Sequence, residues 1–238
     1  MHRELTGMAG HAAFTFAKDL KVSPEAFATF VTEAFNQWRD SGDSRAVEFA
    51  AAFGSEAMTN RDGTIRDTAF RTMSGAGHQH FLAFIEDLSR ATTAEHLRAA
   101  LLEPWRYEEE KLSMRWDPAD DRRYALRWSD PSGDAIRTVR GANRLAIEAL
   151  PLFPVAPVER DLKTTGFGSP TGRGVFWTWP IWEPSLPLDT VCSVLAMVEL
   201  QTEHPDRSAL AARGVVEVFR CERITTGKFR NFSSAQSP

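Results

Sequence analysis

Arginines interleaved with tryptophans offer the clearest chemistry in this sequence. Residues 111–154 hold Lys111, Arg115, Arg122, Arg123, Arg127, Arg137, Arg140 and Arg144 against five Asp and one Glu, with Trp116 and Trp128 among them. A guanidinium can meet a phosphate through two parallel N–H donors. The whole chain carries a net charge of -4. A cationic, aromatic segment on an acidic chain points to a focused site for an anionic polymer rather than a general basic coat. Within it, Thr138-Val139-Arg140-Gly141-Ala142-Asn143-Arg144 places basic groups, an amide and a flexible glycine at a helix entrance. Lys228-Phe229-Arg230-Asn231-Phe232 repeats the mixture near the C-terminus, where phenylalanines could stack bases. The plainer reading of any single arginine is a solvated charge paired with a nearby Asp or Glu.

Other clusters carry weaker chemistry. His78-Gln79-His80 is the one histidine cluster. Histidines at i and i+2 face apart on a helix, and no carboxylate or cysteine at motif spacing completes a metal set. Gln79 is the better contact residue, because an amide both donates and accepts. Asp117, Asp120 and Asp121 could hold ions in a nuclease-type site, but aspartates before proline also start turns. The small-residue loop at 74–77 could offer backbone amides to a phosphate, or be a tight helix entry. The sequence lacks GxxxxGK[ST], GxSxG and HExxH motifs. We expect no metal and no cofactor. Three tryptophans, Trp177, Trp179 and Trp182, fall within six residues. Exposed, they would form a docking surface; buried, they are core.

The elements that must position these residues can be read from periodicity. Ser23-Pro24-Glu25 starts a helix, in which Phe27, Phe30, Val31, Ala34, Phe35 and Trp38 share one apolar face. Helices are expected over 45–53, around Phe81–Leu88, and after the Thr93 cap as far as Pro104. Residues 60–63 form a turn. Met114-Arg115-Trp116 and Leu126-Arg127-Trp128, each followed by an Asp-Pro turn, read as two strands. A helix runs over 141–150. Hairpin arms are expected at 162–167 and 175–182, a helix at 188–200, a short helix at 209–213 and a strand at 215–224. The polar tail, 225–238, should fray. The expected class is α+β: a helical N-terminal half, 1–104, and a mixed strand and helix C-terminal half, 105–238, in one continuous domain or two.

With 238 residues, 42% hydrophobic and 25% charged, the composition is that of a soluble globular protein. No apolar run reaches the ~18 residues of a membrane span, and the first residues do not read as a signal peptide. Cys192 and Cys221 have no metal-ligand spacing and read as reduced packing residues of a cytoplasmic protein.

One order of motifs stands out. The Gly-Ala-Gly loop with Gln79 and the helix HQHFLAFIEDL precede DPADDRRYAL, then GANRLAIEALPLFP, then FWTWPIWEPSLPLD. This order, over residues 65–190, resembles the accessory and large-subunit-like proteins of type I-U (also called I-G) CRISPR systems. The motif positions carried over are Gln79, Asp117, Arg122, Arg123, Asn143 and Arg144. The resemblance implies a non-catalytic subunit of a crRNA-guided, Cascade-like surveillance complex. Its partners would be other effector subunits, crRNA and target DNA, with no membrane. In such complexes base pairing reads the sequence while protein subunits hold backbones. The expected nucleic-acid contacts are Gln79, Arg122, Arg123, Arg127, Arg140, Asn143, Arg144, Lys228 and Arg230. The alternatives are a structural adaptor docking through 175–182 and a metal-dependent nuclease using the aspartate cluster or the histidines.

Overall fold

The computed structural model describes residues 10–73, 79–117, 137–226 and 229–238. The chain is mixed α+β, with helices in its N-terminal half and strands concentrated in its C-terminal half. A short helix, α1 (Ala12–Thr15), leads to α2 (Pro24–Ser41), α3 (Arg45–Phe53) and the hairpin β1 (Gly54–Thr59) with β2 (Ile65–Asp67). Then come α4 (Phe81–Ala91), α5 (Ala94–Leu102) and α6 (Arg140–Glu148).

Local chemistry explains the helix ends. The Ser23 hydroxyl accepts the Ala26 amide at 3.2 Å, and Gly42 closes α2 in the left-handed region at φ +77°. Thr93 and His96 form a reciprocal capping box on α5. Phe27, Phe30 and Ala34 of α2 are buried, but Phe35 and Trp38 are exposed and pack edge-to-face on each other. The apolar stripe of α2 thus continues past the end of the core it covers.

The C-terminal half begins with the hairpin β3 (Val155–Val158) and β4 (Asp161–Thr164). A four-stranded antiparallel sheet follows, in the order β5 (Phe167–Gly168), β6 (Phe176–Trp182), β7 (Val215–Thr226) and β8 (Phe229–Phe232). Two helices, α7 (Leu188–Leu195) and α8 (Arg207–Ala211), lie between β6 and β7. The expected arm at 162–167 is split: β4 turns back onto β3, and only Phe167 and Gly168 join β6. Residues 188–200 are likewise divided, into α7 and a 3-10 turn over Val198–Gln201. Pro180 is tolerated within β6 because the Thr178 amide bonds Gly166 on the β5 side at 2.9 Å. Two residues on, the missing N–H of Pro180 points the same way, beyond the short β5.

The C-terminal tail does not fray. β8 pairs with β7, and Arg220 and Gln236 exchange two backbone hydrogen bonds of 2.8 Å. A long strand edge was available, and the tail's backbone satisfies it.

One face of the sheet carries Trp177, Trp179, Cys221 and Phe232 into the main core, where Trp177 and Trp179 stack at 4.4 Å between ring centroids. The 175–182 tryptophans therefore serve packing, not an exposed docking cluster. Phe70 is the junction of this core, touching Trp116, Phe153, Phe167, Trp177 and Phe232. The same core runs from Ala13 through Ile147 to Phe232, so packing is continuous across residue 104. On the other sheet face, Arg220 donates to the Thr178 hydroxyl and to the carbonyls of Leu200, Thr202 and Glu203. These bonds tie the sheet to a smaller core of Val194, Leu200, Leu210, Val215 and Val218. Among the described residues, no helix is long and apolar enough to cross a membrane.

Candidate functional site

Much of the described part of the 111–154 segment is buried, although Lys111 and Arg137 are exposed. Residues 112–117 form no strand; the Trp116 indole donates to the Phe70 carbonyl at 2.8 Å. Glu109 and Thr138 exchange backbone hydrogen bonds and bring the chain just before the segment against the start of α6. The Glu109 carboxylate then accepts the Lys111 amide at 2.8 Å, the Leu112 amide at 3.1 Å and the Arg140 Nε at 2.6 Å. Burial works to raise the Glu109 pKa, but these donors prevail and hold it below the ordinary carboxylate range.

This geometry corrects two expected contacts. Asn143 is buried, and its side chain is used internally: Oδ1 accepts the Met114 amide, and Nδ2 donates to Thr138 Oγ1 and the Val139 carbonyl. Arg144 is 1% exposed and lies 2.6 Å from the Glu148 carboxylate, which also pairs with Arg45 of α3. Neither side chain is presented to a polymer. The apolar face of α6 must reach the core, and Asn143 and Arg144 are carried in with Ile147. Arg140 is half-exposed but anchored by Glu109 and the Ala91 carbonyl. Gly141 is a packing contact rather than a flexible joint: a Cβ there would stand 2.0 Å from the His96 carbonyl oxygen of α5. Gln79 is half-buried immediately before α4. Arg122, Arg123, Arg127 and Lys228 lie outside the described residues, as do His78, Asp120, Asp121 and the loop at 74–77.

Arg230 leads to a different site. It lines an open groove of about 710 Å³ between the β1–β2 turn, β4, the start of β5 and the β7–β8 ribbon. The described lining includes seven cations, Lys21, Arg61, Arg66, Arg71, Lys163, Arg223 and Arg230, and three carboxylates, Asp62, Asp67 and Asp161. Thr64, Thr68, Thr164 and Ser169 add polar groups. A net excess of four positive charges thus collects in one concavity of an acidic chain.

The groove has an outer and an inner part. Outside, Asp161 is shared between Arg66 at 2.9 Å and Lys163 at 3.0 Å. The Lys163 hydrogen bond leads in holding the Asp161 pKa below its ordinary value. Inside, Arg71 is buried, contacting Asp67 at 2.8 Å, Asp19 at 3.4 Å and the Met73 carbonyl at 2.9 Å. Burial raises the Asp67 pKa against the pull of Arg71. Arg223 donates to the carbonyls of Ala69 and Arg71, but no carboxylate lies within ion-pair distance of it among the described residues. Burial, reinforced by repulsion from Arg230, pulls its pKa down to about 10. Burial followed by the Arg71 charge likewise lowers that of Arg230.

Such a groove can hold phosphate oxygens through charge-assisted hydrogen bonds. Among the described residues, no group of three His, Cys, Asp or Glu side chains is placed to hold a metal ion. His80 stands alone beside Asp19, at 3.7 Å. Of the groove cations, sequence reasoning singled out only Arg230. The others come from four separate stretches, and none is a dense local cluster. The available signals were Arg61, Arg66 and Arg71 recurring at five-residue steps, and Arg223 in a strand whose partner carries Arg230.

No family model, curated protein or solved structure matches the chain.

Proposed function

We propose that this protein is a non-catalytic subunit that grips a nucleic-acid backbone in the cationic groove. The observation that carries this reading is the excess of cations lining one open groove on a chain whose net charge is -4. Phosphate contacts supply affinity without reading bases. That suits a subunit in which sequence is read elsewhere, by base pairing. The order of motifs over residues 65–190 supports the more specific role, membership of a crRNA-guided type I CRISPR surveillance complex. Its partners there would be other effector subunits, guide RNA and target DNA. Arg122, Arg123, Arg127 and Lys228 are further contacts in this proposal, with Arg230 in the groove. An acidic chain binds a polyanion weakly by itself, so the assembled complex is the setting in which the groove works.

The test uses Lys21→Glu, Arg61→Glu and Lys163→Glu together, three exposed groove positions. Binding of labelled single-stranded DNA and RNA is followed by fluorescence anisotropy across a salt series, for the protein alone and with whatever co-purifies. The triple variant should bind about tenfold or more weakly, with a salt slope lower by ~2, since each lost single-strand phosphate contact removes ~0.7. An unchanged affinity and slope would refute the groove as the contact. Recovery of guide RNA and partner subunits with the tagged protein is expected under the complex reading; recovery of the chain alone, without RNA, would remove it.

A further inference from the structure

Arg223 and Arg230 occupy neighbouring strands. Thr225 of β7 stands directly opposite Arg230 of β8, and Arg223 lies two residues from Thr225. Opposed residues of an antiparallel pair share a face, as do residues two apart on one strand. The two arginines are therefore diagonal neighbours on a single face, where like charges oppose each other. Arg71 brings a third guanidinium to the same end of the groove.

The counter-charge there falls short. Asp67 and Asp19 are the carboxylates of this inner end, and both are engaged by Arg71. Arg223 is held by two backbone carbonyls, which fix the plane of its guanidinium but do not neutralise it. Arg230 feels the charges of Asp67 and Asp19, but among the described residues its side chain makes no direct hydrogen bond or ion pair. One guanidinium is thus fixed in place, and the other is free to close on an anion. Thr68 and Ala69 line the same space.

Resting on the groove reading, we infer that Arg223 and Arg230 form a dedicated subsite for one phosphate group, the anchor from which a nucleic-acid strand runs outward toward Lys163 and Arg61. The ligand chemistry is a tetrahedral phosphate oxyanion met by the Arg230 fork and by the Nη N–H groups that Arg223 does not give to the Ala69 and Arg71 carbonyls. Its source is either a strand's terminal phosphomonoester or one of its internal phosphodiesters. Both lowered arginine pKa values accord with this, since an entering anion favours the charged form of each.

The experiment compares the full-length protein with its Arg230→Gln variant and with the outer-groove triple variant above, using a short labelled single strand and inorganic phosphate as competitor. Arg230→Gln should weaken strand binding roughly tenfold to hundredfold, the loss of one charge-assisted contact. It should also abolish competition by millimolar phosphate. Because it removes a like charge from beside Arg71 and Arg223, its melting temperature should be unchanged or higher; a purely structural Arg230 would lower it. Arg230→Lys, which keeps the charge without the fork, should fall between wild type and Gln. A strand bearing a 5′-phosphate that binds more tightly than its 5′-hydroxyl twin assigns the subsite to a terminal monoester, and equal binding assigns it to an internal diester. If the triple variant loses affinity while Arg230→Gln does not, the subsite is wrong and the groove stands. If neither loses affinity, the groove reading itself fails.

Discussion

Gly141→Ala sets two effects of similar size against each other. In a helix interior, alanine is favoured over glycine by ~1 kcal/mol, an upper bound for Gly141 in the first turn of α6, so on propensity alone the change should stabilise α6. Its position argues otherwise. The added methyl would lie 2.0 Å from the His96 carbonyl oxygen, 2.6 Å from the carbonyl carbon and 2.9 Å from the Ala100 methyl. Ordinary contact begins near 3.4 Å. The two nearest atoms belong to the backbone of α5 and cannot rotate away, so α6 must retreat by more than an ångström. Overpacking of this kind costs ~1–3 kcal/mol, and a backbone clash lies at or above the top of that range. After the propensity gain, the net loss is about 2 kcal/mol or more. For a chain of this size that corresponds to a fall in Tm of at least ~4–8 °C. Retreat of α6 would also loosen the Arg140–Glu109 pair and the Asn143 hydrogen bonds. Urea denaturation and thermal melting monitored by circular dichroism read the effect. An unchanged or raised midpoint would refute the close α5–α6 approach and return Gly141 to the role of a flexible joint.

Three further outcomes follow from the geometry. Arg144→Leu should lower stability yet leave strand affinity and its salt slope unchanged, because the guanidinium is 1% exposed; a lower slope at unchanged Tm would restore Arg144 as a phosphate contact. The depressed pKa of Glu109 means that its ionised form stabilises the fold. This contribution is complete above the ordinary value of 4.5 and is lost as pH falls through the lower folded value. Stability measured against pH should therefore decline less steeply on the acid side in Glu109→Gln, and identical acid limbs would show that Glu109 is not depressed. Cys221 is buried with its thiol pKa pushed up to about 12, while Cys192 is half-exposed. A thiol reagent at neutral pH should label Cys192 in the native protein and reach Cys221 only after denaturation, and rapid native labelling of both would contradict the packing of β7.

Much of the local structure was legible from residue types alone. The Ser23 cap, Pro24 and the three- and four-residue recurrence of Phe27, Phe30 and Ala34 specify α2 through contacts within a few residues. The Thr93 cap and the alternation along β7 were readable for the same reason. Pairing was harder to read. A run such as 162–167 has strand character throughout, but which neighbour each residue takes depends on chain far away. The tail was misjudged because polarity alone does not reveal a vacant strand edge waiting on β7. Trp177 and Trp179 were legible as core from their alternation, whereas Asn143 and Arg144 were not, since polar residues are carried inward only when buried partners such as Thr138 and Glu148 meet them.

The sequence by itself determined the class, α+β with helices first, and raised the expectation of a positive site on a negative chain. It located that charge by density, along 111–154. Tertiary structure decided otherwise for the described part of that stretch, turning Asn143 and Arg144 into the core and binding Arg140 to Glu109. The groove it built instead draws Lys21, Arg66, Lys163, Arg223 and Arg230 from across the chain. The physical reason is one of range. Helix periodicity and capping act between residues three or four apart. The field in a groove sums over every charge that folding brings near, whatever its separation along the chain.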